Sequence, residues 1–480
     1  MPSRPLRRLS CLALLLASVA MSGMAAAEDR RTCAEGTGEA AIAACTRVID
    51  AGGLSGSDLA RLHMNRGVEW SAKGGTKGGA EHDIKRALAD FDAALFLDPK
   101  LAAAHHNRGI VHAVQGQTAL ALADYDAALR IDPTSAATLG QRALVHFAGG
   151  DLEAALADLD AALALESTAI HLNNRGQVHA ALGRWKRAFA DFDAAIARDP
   201  DLAVFYYNRG NAHLAREDRA RAIADFDRAL KLNDGYAAAL INRGIARDLS
   251  GDTDLAVADF DAALKLDPKA TAALYGRGNA RLHKAEHRLA IADYDAVIRR
   301  DADHAAARFS RAVVYESIGD LDQAIADYDT ITRLQSDNAA AWNSLCWANA
   351  LRGYLQAAQP ACDEALRLKP GDINALDSRA FVHLRAGRYD AAIADYDSAL
   401  KRQPDKASSL YGRGIAKRRK GDYEAGNADI AAARAIMPDV TKVFLRHGLT
   451  PPFSELAVPA AESPPPARSL PVPRRRPDPS

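Results

Sequence analysis

The chain has 480 residues, 48% of them hydrophobic and only 6% aromatic, and its 61 Lys and Arg balance 61 Asp and Glu. That balance leaves no basic surplus to suggest a nucleic acid partner. Beyond the first 27 residues no segment is apolar enough to cross a bilayer.

At the N-terminus, Arg4, Arg7 and Arg8 precede an apolar run from Cys11 to Ala20, and Ala25, Ala26 and Ala27 stand before Glu28. This predicts a secretory signal peptide over residues 1–27, cleaved near Ala27–Glu28. The run is too short for a membrane span, and Cys11 lies inside it rather than at its end, which argues against a lipoprotein. A periplasmic or secreted protein without stable membrane insertion is expected. Cleavage leaves 58 Lys and Arg against 61 acids, a net charge of about −3. It also leaves four cysteines, Cys33, Cys45, Cys346 and Cys362, an even number that suits an oxidising compartment.

Residues 28–59 hold a degenerate half-repeat around Ala41-Ile42-Ala43-Ala44-Cys45, expected to cap the N-terminal end of a longer array. From there a tripeptide recurs. Asp90-Phe91-Asp92 returns as Asp124-Tyr125-Asp126 and onward to Asp395-Tyr396-Asp397, at intervals of 34 residues or a multiple, save one interval of 33 between Asp158 and Asp191. Asn65-Arg66-Gly67, Asn107-Arg108-Gly109 and Asn174-Arg175-Gly176 run in step with it. A period in this range means stacked supersecondary units. Within Ala102 to Pro133, apolar or small residues at Ala103, His106, Ile110 and Ala113 mark one helical face, Gly116 interrupts, and Ala121, Tyr125, Ala128 and Leu129 mark a second helix that Asp132-Pro133 stops. Helices this short are marginal alone and persist by stacking.

With Ala102 as position 1, Gly109 falls at position 8, Ala121 at 20, Tyr125 at 24, Ala128 at 27 and Pro133 at 32. In these positions the chain resembles the tetratricopeptide repeat family. It departs from the family pattern at position 4, where Trp occurs only as Trp342, and at position 7, where Arg replaces Leu. The resemblance implies an all-α, right-handed α-solenoid of about eleven helix-turn-helix units over residues 60–436, with 437–450 as a C-terminal capping segment. Residues 451–480 hold ten of the chain's 20 prolines, with Pro464-Pro465-Pro466 and Arg474-Arg475-Arg476, and read as a disordered Pro/Arg-rich tail.

Irregularities carry information. Gly67 to Gly109 spans 42 residues, an eight-residue insertion containing Lys73-Gly74-Gly75-Thr76-Lys77-Gly78-Gly79. Its order does not fit a phosphate loop and no strand precedes it, so a flexible surface loop is expected. Cys346 and Cys362 occupy positions 8 and 24 of one repeat, where the two helices of a unit meet, and predict a disulfide. Cys45, also at position 24, is expected to pair with Cys33 across the exposed end. Ten of eleven repeats have Arg at position 7 and ten have Asp at position 23; both exceptions, Leu345 and Ala361, fall in the repeat with the cysteines. This suggests an Arg–Asp pair between the helices of each unit, such as Arg243 with Asp259, with partners in adjacent repeats as the alternative. Asp at position 25 does not share this pattern, because Asp363 remains.

No catalytic site, cofactor site or metal site is expected. About 380 residues are committed to repeats, and HExxH, GxSxG and GxGxxG are absent. The two Asp of each Asp-x-Asp lie roughly 200° apart around a helix and cannot chelate one ion. His112, His146, His179, His213 and His383, all at position 11, read as structural. In the family, positions 2, 5, 9 and 12 of the first helices line a concave groove. Carried over, Tyr207, Tyr275, Phe309, Trp347, Phe381 and Tyr411 are the candidate binding residues. Position 5 never carries Lys, so a basic clamp for C-terminal carboxylates is missing. The expected function is a non-enzymatic protein–protein interaction scaffold of the cell envelope, holding a peptide or protein segment. The alternative is an adaptor for envelope polysaccharide synthesis, export or assembly machinery, since aromatic residues stack on sugars as well.

Overall fold

The computed structural model describes residues 26–75 and 81–449. Residues 1–25, where a signal sequence is expected, residues 76–80 of the insertion and residues 450–480, which include the expected tail, lie outside the described residues. Every regular element among the described residues is a helix. They form two compact units divided after Ser250.

The first unit opens with α1 (residues 26–35) and α2 (Gly38–Ala51), then runs in pairs: α3 and α4 (Gly56–Gly74, Glu81–Leu97), α5 and α6 (Ala102–Val114, Thr118–Ile131), α7 and α8 (Ala136–Ala148, Leu152–Leu165), α9 and α10 (Ala169–Ala181, Trp185–Arg198), α11 and α12 (Ala203–Ala215, Arg219–Leu232), and finally α13 (Ala237–Leu249). The second unit begins at α14 (Thr253–Leu266) and continues with α15 and α16 (Thr271–His283, His287–Arg300), α17 and α18 (Ala305–Ile318, Leu321–Leu334), α19 and α20 (Ala339–Arg352, Leu355–Leu368), α21 and α22 (Ile373–Arg385, Tyr389–Arg402), α23 and α24 (Ala407–Arg419, Tyr423–Ile436), and a short α25 (Val440–Arg446). Within each unit every helix packs on its sequence neighbours, and the first helices of successive pairs also touch, as α19 does α21 and α21 does α23. This is an all-α solenoid. The insertion begins later than expected, since α3 continues through Lys73 to Gly74.

The chemistry of the repeat explains the geometry. In most repeats a buried aromatic ring at position 24 sits against the backbone of position 8. A Cβ on Gly109 would stand 2.7 Å from the Tyr125 ring, and one on Gly210 would stand 2.8 Å from Phe226. At these glycines the missing side chain is what lets the two helices of a repeat close on the ring, while Ala312 and Ala380 take the same position opposite Tyr328 and Tyr396. Between repeats, the Asp or Asn after the second helix turns the chain by accepting from the backbone two residues on, as Asp132 does from Thr134 and Asp267 from Lys269. Turns between the two helices of a repeat use left-handed backbone, as at Gly319 (φ 84°) and Gly353 (φ 94°).

Arg at position 7 has two partners. Arg142 forks onto Asp158 of its own unit, with Nε–Oδ2 2.9 Å and Nη2–Oδ1 2.7 Å, and its remaining nitrogen Nη1 reaches back 2.6 Å to Asp126 of the preceding repeat. The same double contact recurs at Arg108, Arg175, Arg209, Arg277, Arg311, Arg379 and Arg413. Arg66 makes the first half, to Asp90. Position 25, which the sequence pattern leaves outside the pairing, is thus explained. Asp363 remains because Arg379, one repeat on, holds it at 2.9 Å. Where Leu345 replaces Arg, Asp329 of the repeat before turns to Arg333 on its own helix, at 3.1 Å. Arg243 belongs to the first unit, where it donates to Asp227 at 2.6 Å, and Asp259 belongs to the second.

Two cysteine pairs stand at disulfide distance. The Cα atoms of Cys33 and Cys45 are 4.7 Å apart and those of Cys346 and Cys362 are 5.1 Å apart. The first pair ties α1 to α2. Their ends are further held to α3, where Asn65 donates to the Cys33 carbonyl and Glu69 accepts from Gly38. The second pair replaces the aromatic-on-glycine contact in the repeat that lacks the Arg–Asp pair.

Asp158 is 7% exposed, whereas the Asp126 side chain is 49% exposed. The two halves of the Arg142 contact therefore differ in strength. Replacing Arg142 by Ala leaves Asp158 buried without its counter-ion and is expected to cost about 3 kcal/mol, while Asp126→Ala costs under about 1 kcal/mol. Urea unfolding of the single and double variants measures this; equal coupling of Arg142 to both carboxylates would contradict it.

Candidate binding groove

The expected groove residues lie on the first helices of the repeats, and the structure sorts them into accessible and covered. In the first unit Tyr207, on α11, is half-buried. Its hydroxyl accepts from Asn242 of α13 at 3.2 Å, and its ring stacks toward Tyr236 with centroids 4.9 Å apart. Asn242 also donates to Asn211, and Asn208 to Asn173. In these two triplets the Asn reaches back to positions 5 and 9 of the repeat before, whereas Asn174 accepts from Asn173 and Gln177 on its own helix. In the second unit Tyr275 on α15 is half-buried and shares a hydrogen bond with Ser310 of α17.

Phe309 on α17 is 36% exposed, and Trp347 on α19 is partly exposed beside it. They line a cavity of about 810 Å³ with Val313, Glu316, Tyr328 and Leu351, and with Arg446 and His447 from the end of α25. Glu316 accepts from Trp347 Nε1 at 3.1 Å and from the Tyr328 hydroxyl at 3.3 Å. Burial pushes the Glu316 carboxyl above the ordinary glutamate range, and these two hydrogen bonds pull the other way. Sequence reasoning passed over Glu316. The available signal was an acid at position 12, where neighbouring repeats have Leu282, Ala350 and Leu384.

Phe381 and Tyr411 are corrections to the expected groove. They are 2% and 0% exposed, because α25 lies on them. The Phe444 ring is 4.8 Å from Tyr411 and 6.1 Å from Phe381, and His447 stands edge-on to Trp347 at 5.2 Å. Within residues 437–449, Val440 and Phe444 of α25 are buried, and the Phe444 ring lies over the side that carries positions 5 and 9. These two aromatic residues, Phe381 and Tyr411, are core.

The histidines at position 11 approach the buried Asp of the Arg ladder. His179 Nε2 is 3.9 Å from Asp191, His213 is 3.8 Å from Asp225 and His383 is 3.7 Å from Asp395. His146 instead faces Asp151, at 4.0 Å. In two other repeats the position holds a cation on the ladder Asp, Arg281 on Asp293 and Lys417 on Asp429. No group of three or more His, Cys, Asp and Glu able to hold a metal ion occurs among the described residues, and none of the described helices is long and apolar enough to cross a membrane.

Two models of one family, each described as tetratricopeptide repeat, match residues 102–135, 141–203, 207–373 in overlapping segments, and 379–439. No curated protein matches significantly. Among solved structures, a tetratricopeptide repeat protein from Parabacteroides merdae is 17% identical over 52% of this chain and 99% of its own, with a TM-score of 0.42. MamA from Desulfovibrio magneticus is 22% identical over 35% of this chain and 96% of its own, with a TM-score of 0.34. A chain of the Cut9–Hcn1 hetero-tetramer of the APC/C is 16% identical over 79% of this chain and 93% of its own, with a TM-score of 0.41.

Burial lowers the pKa of His179, His213 and His383 below the ordinary value of 6.5, the nearby Asp opposing it in each. The unfolded chain then takes up these protons first. The fold suffers no penalty above pH 6.5 and loses stability as the pH falls from there through the lowered values. The lowered carboxyls of Asp90 and Asp429 add a further loss below the carboxylate value of 3.8. Melting followed by circular dichroism should drop between about pH 7.5 and pH 5, and the His179→Gln/His213→Gln variant should drop less. An equal drop in both proteins would remove the histidines as its cause.

Proposed function

The chain belongs to the tetratricopeptide repeat family, and from that premise we propose that it is a non-enzymatic scaffold of the cell envelope that binds an extended segment of a partner protein. Its repeats support a protein–protein interaction scaffold, and the repeat fold is generally non-enzymatic. The envelope location is carried by the N-terminal Arg–apolar–small-residue pattern and by two cysteine pairs placed for disulfides. The observation that carries the groove is the run of partly exposed aromatic residues at Tyr275, Phe309 and Trp347 beside small residues at position 2, Ala272, Ala306 and Ala340. Large rings with open space next to them gain most from burial against a partner. Polysaccharide is the second candidate ligand, because the same rings stack on sugars.

Affinity capture from envelope extract tests this. The Tyr275→Ala/Phe309→Ala variant removes two anchors, each worth about 2 kcal/mol if it is a hot spot, and capture should fall at least tenfold with the helical circular dichroism intact. Phe381→Ala, by contrast, should lower the melting temperature, since that ring is core. Undiminished capture by the double variant would end the groove reading, and a glycan array positive with the wild type alone would replace protein by polysaccharide.

A further inference from the structure

Resting on the peptide-binding reading above, we propose that the cavity at Glu316 is a subsite for a basic side chain, an Arg or Lys presented by an extended segment of a separate partner protein. Glu316 is a carboxylate at a groove position where the adjacent repeats have Leu282 and Ala350. Its two oxygens accept one hydrogen bond each, from Trp347 and Tyr328, and both donors are neutral. A carboxylate offers about four acceptor sites, so capacity remains on the side facing the cavity. Among the described residues no Lys, Arg or His forms an ion pair with it, whereas the buried Asp of the ladder, such as Asp293 and Asp327, have Arg partners at 2.6 Å.

The surroundings suit a cation with an apolar stem. Phe309 and Trp347 present partly exposed ring faces, and Val313, 37% exposed, lies between Phe309 and Glu316 in sequence and lines the same cavity. Such walls cover an alkyl stem while ring faces attract its charged head. A guanidinium would make charge-assisted bonds to the free acceptor sites. Burial already disfavours the ionised carboxylate, and an arriving cation would relieve that. An acidic ligand gains nothing here, because the carboxylate would repel it. The positive groups on the rim are Arg446, exposed and so screened by water, and His447, whose pKa burial lowers below the usual value.

The test uses the full secreted chain and an array of acetylated, amidated decapeptides with a central Arg, Lys, citrulline or Glu and with Leu, Phe, Pro and Ser permuted around it. Arg peptides are expected to bind about tenfold more tightly than their citrulline counterparts. Glu316→Gln, whose amide oxygen can keep the Trp347 bond while its NH2 donates to the Tyr328 hydroxyl, should erase that preference while citrulline peptides bind as before. The comparison of Arg with citrulline on the unmodified protein decides the matter even if E316Q fails to fold. Equal binding of Arg and citrulline peptides, or a preference that survives E316Q, overturns the subsite and leaves the groove reading standing. Absence of any peptide binding, or binding indifferent to Phe309→Ala, overturns both. A preference seen only after residues 451–480 are removed would make the chain's own Arg474-Arg475-Arg476 segment the occupant and overturn the separate partner.

Discussion

The first and second compact units each rest on one constraint, the guanidinium at position 7 held between two carboxylates, sixteen residues away on either side except for the fifteen from Arg175 back to Asp160. One Asp lies on the second helix of the same repeat and is buried, as Asp327 is for Arg311; the other lies on the second helix of the repeat before and is more exposed, as Asp295 is. A single planar cation thereby fixes both the closure of its own helix pair and the register against the previous pair. Arginine is suited to this and lysine is not, because only the guanidinium offers a bidentate fork and a third nitrogen pointing elsewhere. The Asp-x-Asp tripeptide is the direct consequence. Residues two apart on a helix diverge by roughly 200°, as two carboxylates must to serve two successive arginines.

Around that ladder the apolar packing is nearly uniform: small residues at positions 8, 20 and 27, and a ring at 24 pressed on the position-8 backbone. The repeat with Leu345, Ala361 and the Cys346–Cys362 pair substitutes a covalent tie and apolar contact for the ion pair. The cost of a lone buried Asp is avoided because the Arg and the Asp are absent together. The same repeat supplies Trp347 to the aromatic-lined cavity at Glu316. Relief from the ladder and exposure of a large ring thus coincide in one helix pair.

The C-terminal helix decides how much of the second unit's inner surface is open. Phe444 takes the space over Phe381 and Tyr411, so the accessible aromatic surface ends at Trp347 and His447. How much aromatic surface stays open is therefore set by the seven residues of α25 as much as by the repeats themselves.

The period of 34, the helix pairs and the pairing of Cys346 with Cys362 and of Arg with Asp were legible in the sequence, because each depends on spacing along one or two helices. A residue sixteen positions on is a local matter in a solenoid. What the sequence could not rank was exposure. Phe309 and Phe381 occupy groove positions 5 and 9 and look alike as letters, yet one is 36% and the other 2% exposed. The difference comes from α25, whose docking depends on three-dimensional contact between Phe444 and rings that precede it by more than thirty residues. The second carboxylate of each arginine and the neutral surroundings of Glu316 were decided in the same way, by which side chains the stacking of neighbouring units brings within hydrogen-bond reach.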